Sequence, residues 1–171
     1  DDLIAVLREG EPIIPYLDLP LQHINDRILK RMKRRVNRRE IETLLARLRE
    51  SIPGLVLRTT MIVGFPGETE EEFEELVSFV QTQRFERLGV FEYSREPGTP
   101  AVRLKDHLPR RVIRVRRERL MAVQQKIAFE FAEAQVGRNV IVLLDQPYPE
   151  QKRVLVGRTY ADAPEIDGVV Y

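Results

Sequence analysis

The stretch from Leu55 to Thr69 constrains this chain more than any other. Leu55 to Val63 is an apolar run broken only by Arg58, Thr59 and Thr60. Its length and composition predict a central strand of a parallel sheet, covered on both faces. Gly64-Phe65-Pro66-Gly67 follows at once, and then Thr69 with Glu72 three positions on, which predicts a capping box at a helix start. Glu70 and Glu71 would sit at the positive end of that helix, and Phe73, Leu76, Val77 and Val80 keep the spacing of a buried stripe. A strand feeding through a glycine turn into a capped helix is half of a βαβ unit, and its turn lies at the edge where α/β proteins bind ligands.

The flanking sequence repeats this rhythm. Tyr16 to Leu19 reads as a strand, followed by a helical stretch with Ile24, Ile28 and Met32 on one face. Asn37, with Glu40 three residues later, predicts the cap of a second helix whose buried stripe is Ile41, Leu44, Leu45 and Leu48, and Ser51-Ile52-Pro53-Gly54 ends it. Leu88 to Tyr93 reads as a third strand. Ser94 to Pro109, with Pro97-Gly98-Thr99-Pro100, reads as a long loop into a helix reaching about Val136. There Leu120, Val123, Ile127 and Phe131 would turn inward, and Arg110, Arg111, Arg114, Arg117 and Arg119 outward. Beyond Gly137 the pattern changes to short strands at Asn139 to Leu144, Arg153 to Tyr160 and from Val169, an all-β module too small to close by itself.

Composition narrows the chemistry. The 171 residues include no cysteine and two histidines far apart in sequence, His23 and His107, so thiolate nucleophiles, disulfides and a self-contained metal site are excluded. No apolar run approaches the length of a membrane span, and the first residues have no leader character, which predicts a cytoplasmic protein with no membrane contact. Net charge is only +1 but unevenly placed. Lys30 to Arg39 is basic and either meets phosphates or forms a solvated helix face; RNA contact is the less favoured reading, for want of aromatic residues to stack on bases.

Within the central turn, Gly64 and Gly67 allow positive φ or a close approach, Pro66 stiffens the backbone, and Phe65 offers an apolar face. Free N–H groups nearby would suit an adenine edge. The same sequence also reads as a plain strand-to-helix junction. Ile62 to Thr69, followed by acids and Phe73, resembles the adenine-contacting motif of the radical-SAM methylthiotransferases. Tyr16-Leu17-Asp18-Leu19-Pro20-Leu21-Gln22-His23-Ile24 resembles the fourth barrel strand of that family, and Gly89 to Ser94 the sixth. The resemblance implies an α/β fold: the C-terminal part of a radical-SAM, partial TIM-like barrel with parallel strands over residues 1–136, then a truncated all-β TRAM-like module over 137–171. It further implies S-adenosyl-L-methionine as cofactor, with Gln22, Ile62, Gly64, Phe65, Pro66, Gly67 and Tyr93 as its binding residues. Two 4Fe-4S clusters would be held by cysteines outside this chain, leaving no catalytic or metal-binding residue here and a chain inactive alone.

Arg58-Thr59-Thr60 and the loop Tyr160 to Gly168 are similar to the branch of the family that methylthiolates an aspartate β-carbon in a small-subunit ribosomal protein. The transfer-RNA branch usually has an acid where Thr60 stands. From Arg138 to Tyr171 the module is not basic, and the resemblance makes Asp162, Glu165 and Asp167 candidates for docking a basic ribosomal protein; the same acids also suit turns. His23 is either structural or within reach of a cofactor, and Asp18 either a buried hydrogen-bonding carboxylate or a residue lining the barrel. Arg58, inside an apolar strand, requires a carboxylate partner, expected in the barrel lumen. An open half-barrel predicts a chain that is marginally stable or associates through its strand edge.

Overall fold

The computed structural model describes residues 2–9 and 12–171; Asp1, part of the leader reading, lies outside them. Strands β1 (Tyr16–Asp18), β2 (Val56–Val63) and β3 (Arg87–Glu92) form a parallel sheet in that order. Helix α1 (Asp2–Glu9) precedes β1, and α2 (Asp26–Arg31) with α3 (Arg38–Ser51) connects β1 to β2. Helix α4 (Glu70–Gln83) connects β2 to β3, and α5 (Arg110–Glu133) packs on β3 and α4. The parallel barrel portion and the β module after it are the architecture expected from the alternation of apolar runs and helical periods.

Helix starts follow local chemistry. Asn37 and Thr69 each accept from the N3 backbone N–H while Glu40 and Glu72 return the bond, so both capping boxes form as read. Asn25 caps α2 by accepting from the N–H groups of Arg27 and Ile28. The core lies between the sheet and the helices, where Phe73, Phe79, Phe85, Leu76 and Leu120 are fully buried. Each such side chain contributes about 1.5–3 kcal/mol.

Register divides the sheet into two unlike faces. Leu57, Thr59, Met61 and Val63 of β2 are buried under helices, whereas Arg58, Thr60 and Ile62 are only half-buried on the opposite face. The strand is therefore covered fully on one side, not both. Across the open face Asp18, Arg58 and Arg87 form one row, and Ile62 lies beside Phe91. β1 stops at Asp18, yet its pairing resumes at Gln22, whose N–H donates to Thr60 O (2.8 Å) and whose carbonyl accepts from Ile62 N–H (2.8 Å). The buried hydroxyl of Thr59 donates to Leu19 O (2.8 Å) and accepts from Leu21 N–H (3.3 Å), filling the gap in the ladder.

Several boundaries differ from the expectation. Ile24 precedes α2, because Asn25 takes the cap position, and Leu44 stays 41% exposed on the rim of the α3 stripe. In α5 the buried stripe is Ile113, Arg116, Leu120, Gln124 and Ile127, so two polar residues occupy core positions; Gln124 donates to Phe85 O (2.9 Å). The β module has two antiparallel strands, β4 (Leu143–Pro147) and β5 (Leu155–Arg158), with a register slip between Leu144 and Gln146. Residues 139–142 are not strand, and the expected third strand is reduced to a bridge from Val170 to Gly157.

Candidate functional site

At the C-terminal ends of the parallel strands lies an open cavity of about 410 Å³. That volume is of the size that holds a cofactor-sized ligand. Gln22, Ile62, Phe65 and Tyr93 line it together, joined by Arg31, Met32 and Lys33 from the end of α2 and by Thr99 to Ala101 and Leu104 from the loop before α5. Gln22 has φ +76° and Lys33 φ +60°, so both depart from regular structure at the rim. Strained non-glycine residues of this kind cluster at ligand sites. The Phe65 and Tyr93 rings meet edge to face at 5.3 Å, and Tyr93 also stacks near His107 at 5.8 Å. The Tyr93 hydroxyl is buried and has no hydrogen-bond partner, and burial raises its pKa. A phenol held dry at a cavity wall is positioned to bond to whatever fills the cavity.

The turn beneath this wall is built differently from the expectation. Gly64 and Gly67 do take positive φ (+76° and +78°), but a Cβ at Gly64 would meet the Ile113 side chain at 2.5 Å, so the close approach it permits is to α5. Gly64, Pro66 and Gly67 do not line the cavity. Nor are the N–H groups of its two glycines free. Gly64 N–H donates to Glu68 Oε2 (2.9 Å) and Gly67 N–H to Asp106 O (2.8 Å).

Glu68 is the hub of the support. Its side chain is inaccessible to solvent and accepts from Arg116 Nη1 at 2.6 Å, while the same nitrogen reaches Glu68 O at 3.1 Å. Arg116 also bonds Glu70 at 2.8 Å and lies 5.2 Å over the Phe73 ring. His23, fully buried, accepts from Asn25 N–H through Nδ1 (3.0 Å) and places an otherwise unpartnered Nε2 3.7 Å from Glu68 Oε2. It does not line the cavity, so its place is structural. On the other side Arg27 grips Glu72 with two bonds and donates to Gly67 O at 2.6 Å. Burial would raise the Glu72 carboxyl, but the bonds from Arg27 and Thr69 outweigh it and hold the group below the ordinary range. Sequence reading missed Arg116; its interval of three and four residues from Ile113 and Leu120 is the signal that places it inward.

The three acids proposed for docking separate. Asp162 pairs with Arg87, and Asp167 pairs with Arg58 and reaches Arg87 Nε at 3.7 Å. Asp162 further accepts from the Thr159 hydroxyl (2.6 Å) and N–H (3.0 Å), and Asp167 from Ala163 N–H (2.7 Å). Tyr160 adds a bond to Gly54 O at 2.8 Å. These contacts press the loop of the β module against the N-terminal ends of β2 and β3, opposite the cavity. Two of the three acids are thus turned inward, and only Glu165 remains exposed. Arg58 does find a carboxylate, but from this module; Asp18, in the same row, is exposed. No group of three His, Cys, Asp or Glu side chains among the described residues would hold a metal ion, and no helix among them is long and apolar enough to cross a membrane.

Comparison with known proteins points to the same family as the sequence motifs. Residues 1–80 match the Radical SAM superfamily and residues 136–171 the TRAM domain. Over all 171 residues the chain is 53% identical to the ribosomal protein uS12 methylthiotransferase RimO of Anaeromyxobacter sp. (strain K) and 51% identical to that of Lachnoclostridium phytofermentans. Over its whole length the chain is thus similar to radical-SAM methylthiotransferases. It spans 36% and 39% of the length of those two relatives. Coproporphyrinogen III oxidase (HemN) from Escherichia coli, described as a radical SAM enzyme, superposes with a TM-score of 0.56 at 25% identity, over 77% of this chain and 29% of that one. The Radical SAM superfamily match implies S-adenosylmethionine and iron–sulfur chemistry in general. With no cysteine, its residues do not fit a thiolate-bound cluster. The apolar wall of Ile62 and Phe65, with the unpartnered Tyr93 hydroxyl, does fit a purine-bearing ligand.

Proposed function

We propose that this chain is the C-terminal portion of an enzyme that methylthiolates the β-carbon of an aspartate in a small-subunit ribosomal protein, in the cytoplasm. One observation carries the cofactor part of the reading: Gln22, Ile62, Phe65 and Tyr93, from three separate strand ends, converge on one cavity. Residues 1–136 supply the later part of the barrel and 137–171 the start of a TRAM domain. The substrate rests on the names borne by relatives about half identical over the whole chain.

Within this reading Ile62 and Phe65 provide the apolar surface for adenine, and Gln22 and Tyr93 provide polar contacts to the rest of S-adenosylmethionine. Gly64, Pro66 and Gly67 act indirectly, by letting the turn close on α5 and α2. Two 4Fe-4S clusters are held by the remainder of the full-length protein; when bound, cluster and cofactor supply the one-electron chemistry at carbon. Asp162 and Asp167 hold the module in place, leaving Glu165 as the acid free to meet a basic protein.

The test is mass spectrometry of the ribosomal protein after incubation with the reconstituted full-length enzyme, alongside equilibrium binding of S-adenosylmethionine. A methylthio mass increment on one aspartate, abolished with no S-adenosylmethionine, is expected. Gln22→Ala and Tyr93→Phe should each weaken cofactor binding by about five- to tenfold, the loss of one hydrogen bond. Modification of transfer RNA in place of the protein, or cofactor binding indifferent to both substitutions, would overturn the assignment.

A further inference from the structure

The molecule carries near-balanced charge, yet many of its unpaired cations lie around the cavity mouth and along the first half of α5. Most arginines elsewhere are spent in ion pairs: Arg27 with Glu72, Arg38 with Glu75, Arg49 with Glu86, Arg84 with Glu130. Around the cavity mouth unpaired cations outnumber the acids, although Glu92 and Glu96 also line it. Lys30, Lys33 and Arg35, at and just beyond the end of α2, are exposed and form no ion pair among the described residues; neighbouring Arg34 only donates to Pro20 O. On the opposite rim Arg95, Arg103 and Lys105 are likewise exposed and unpaired. Arg110, Arg111 and Arg117 continue this second row along the outer side of α5, with Arg114 held only by a loose 3.9 Å contact to Glu118.

Both rows are fixed relative to the cavity. Lys33 lines one wall and the Thr99 to Leu104 segment the other. Asp106 O accepts from Gly67, and Ile113 and Arg116 seat the first half of α5 on the same turn. At about 100° per residue Arg110, Arg114 and Arg117 fall on one helix face, spanning about 10 Å along the axis, a length over which more than one phosphate of a strand is met. These residues include no aromatic side chain to stack on bases, so the chemistry they match is a regularly spaced phosphodiester backbone, not unpaired bases.

We propose that the two basic rims form a docking surface for the backbone of double-stranded RNA, which straddles the cavity mouth. The surface reads backbone charge without sequence. The inference does not depend on the methylthiotransferase reading, because it rests on charge placement alone, but it explains how an enzyme for an RNA-embedded protein would be held at its target.

The 171-residue chain is titrated with a short fluorescent RNA duplex across a range of salt, with circular dichroism confirming that each variant is folded. Binding should weaken linearly in log salt, each phosphate neutralised contributing a slope of about −0.9 as for duplex DNA. Joint reversal of Arg110, Arg111, Arg114 and Arg117 to Glu should cost at least about tenfold and flatten that slope, and reversal of Lys30, Lys33 and Arg35 should do the same. If a reversal variant unfolds, the Gln series replaces it. Reversal of Arg138, Lys152 and Arg153 in the β module should leave binding unchanged. The proposal is overturned if those control reversals cost as much, if no duplex binding occurs at low salt, or if polyglutamate competes as well as RNA, which would mark an acidic protein as the partner.

Discussion

Arg116 Nη1 meets Glu68 Oε1 at 2.6 Å in a site where the two side chains are 7% and 0% exposed. A buried pair of this kind contributes little net stability over an apolar replacement, but leaving one member alone strands a charge. Glu68→Gln should therefore cost about 3–5 kcal/mol in urea unfolding, and Arg116→Met about as much, while the double change should cost clearly less than their sum. Additive losses would show that the two residues act independently of one another.

Gly64 combines φ +76° with a contact that leaves no room for a methyl group. Gly64→Ala should destabilise by about 1–3 kcal/mol from backbone strain, with steric cost on top. Ile113→Ala added to it should relieve only the steric part, because the backbone term stays. Thermal unfolding of the single and double variants measures both.

Docking of the β module should fail in acid. Burial pushes the Asp162 carboxyl up, but the bonds from Thr159 and Arg87 outweigh it and hold the pKa below its ordinary value. A depressed folded-state pKa means that the stabilisation is fully present above the unfolded value, near pH 4, and is lost as pH falls through the folded one. Hydrogen exchange of residues 155–171 should accelerate below about pH 4 while that of β2 does not. Asp162→Asn should remove the pH dependence and leave the loop loosened at neutral pH as well.

The barrel portion was largely legible in sequence because its elements satisfy themselves locally. Both capping boxes, the apolar patterns of the strands and the positive φ of the turn glycines depend on residues within a few positions of one another. What stayed hidden depends on partners far along the chain. Asp162 and Asp167 looked like a display of charge, and nothing local in Tyr160 to Gly168 announces Arg58 and Arg87 as their partners. Arg116 likewise reads as one more arginine in a basic helix until Glu68 faces it. Within the cavity, Gln22, Ile62, Phe65 and Tyr93 could be named from strand ends, but Arg31, Met32 and Lys33 enter because α2 is capped at Met32 and the chain turns at Lys33 (φ +60°), which the helical period does not announce.

Strand β3 leaves Phe91 61% exposed beside Ile62 on the open face. Sedimentation of the 171-residue chain should show association that rises with concentration, and Phe91→Lys should shift it toward monomer by placing a charge on the apolar face. A monomer at all concentrations would show that this face is tolerated in water.

The hydroxyl of Thr59 has a reach wider than its size. Because it mends the break after β1, Gln22 owes its position to a side chain on the neighbouring strand, and the cavity wall inherits its shape from a residue that never touches the cavity. Valine there would keep the volume and leave two main-chain groups dry, so the wall would slacken from behind with every residue that lines it intact.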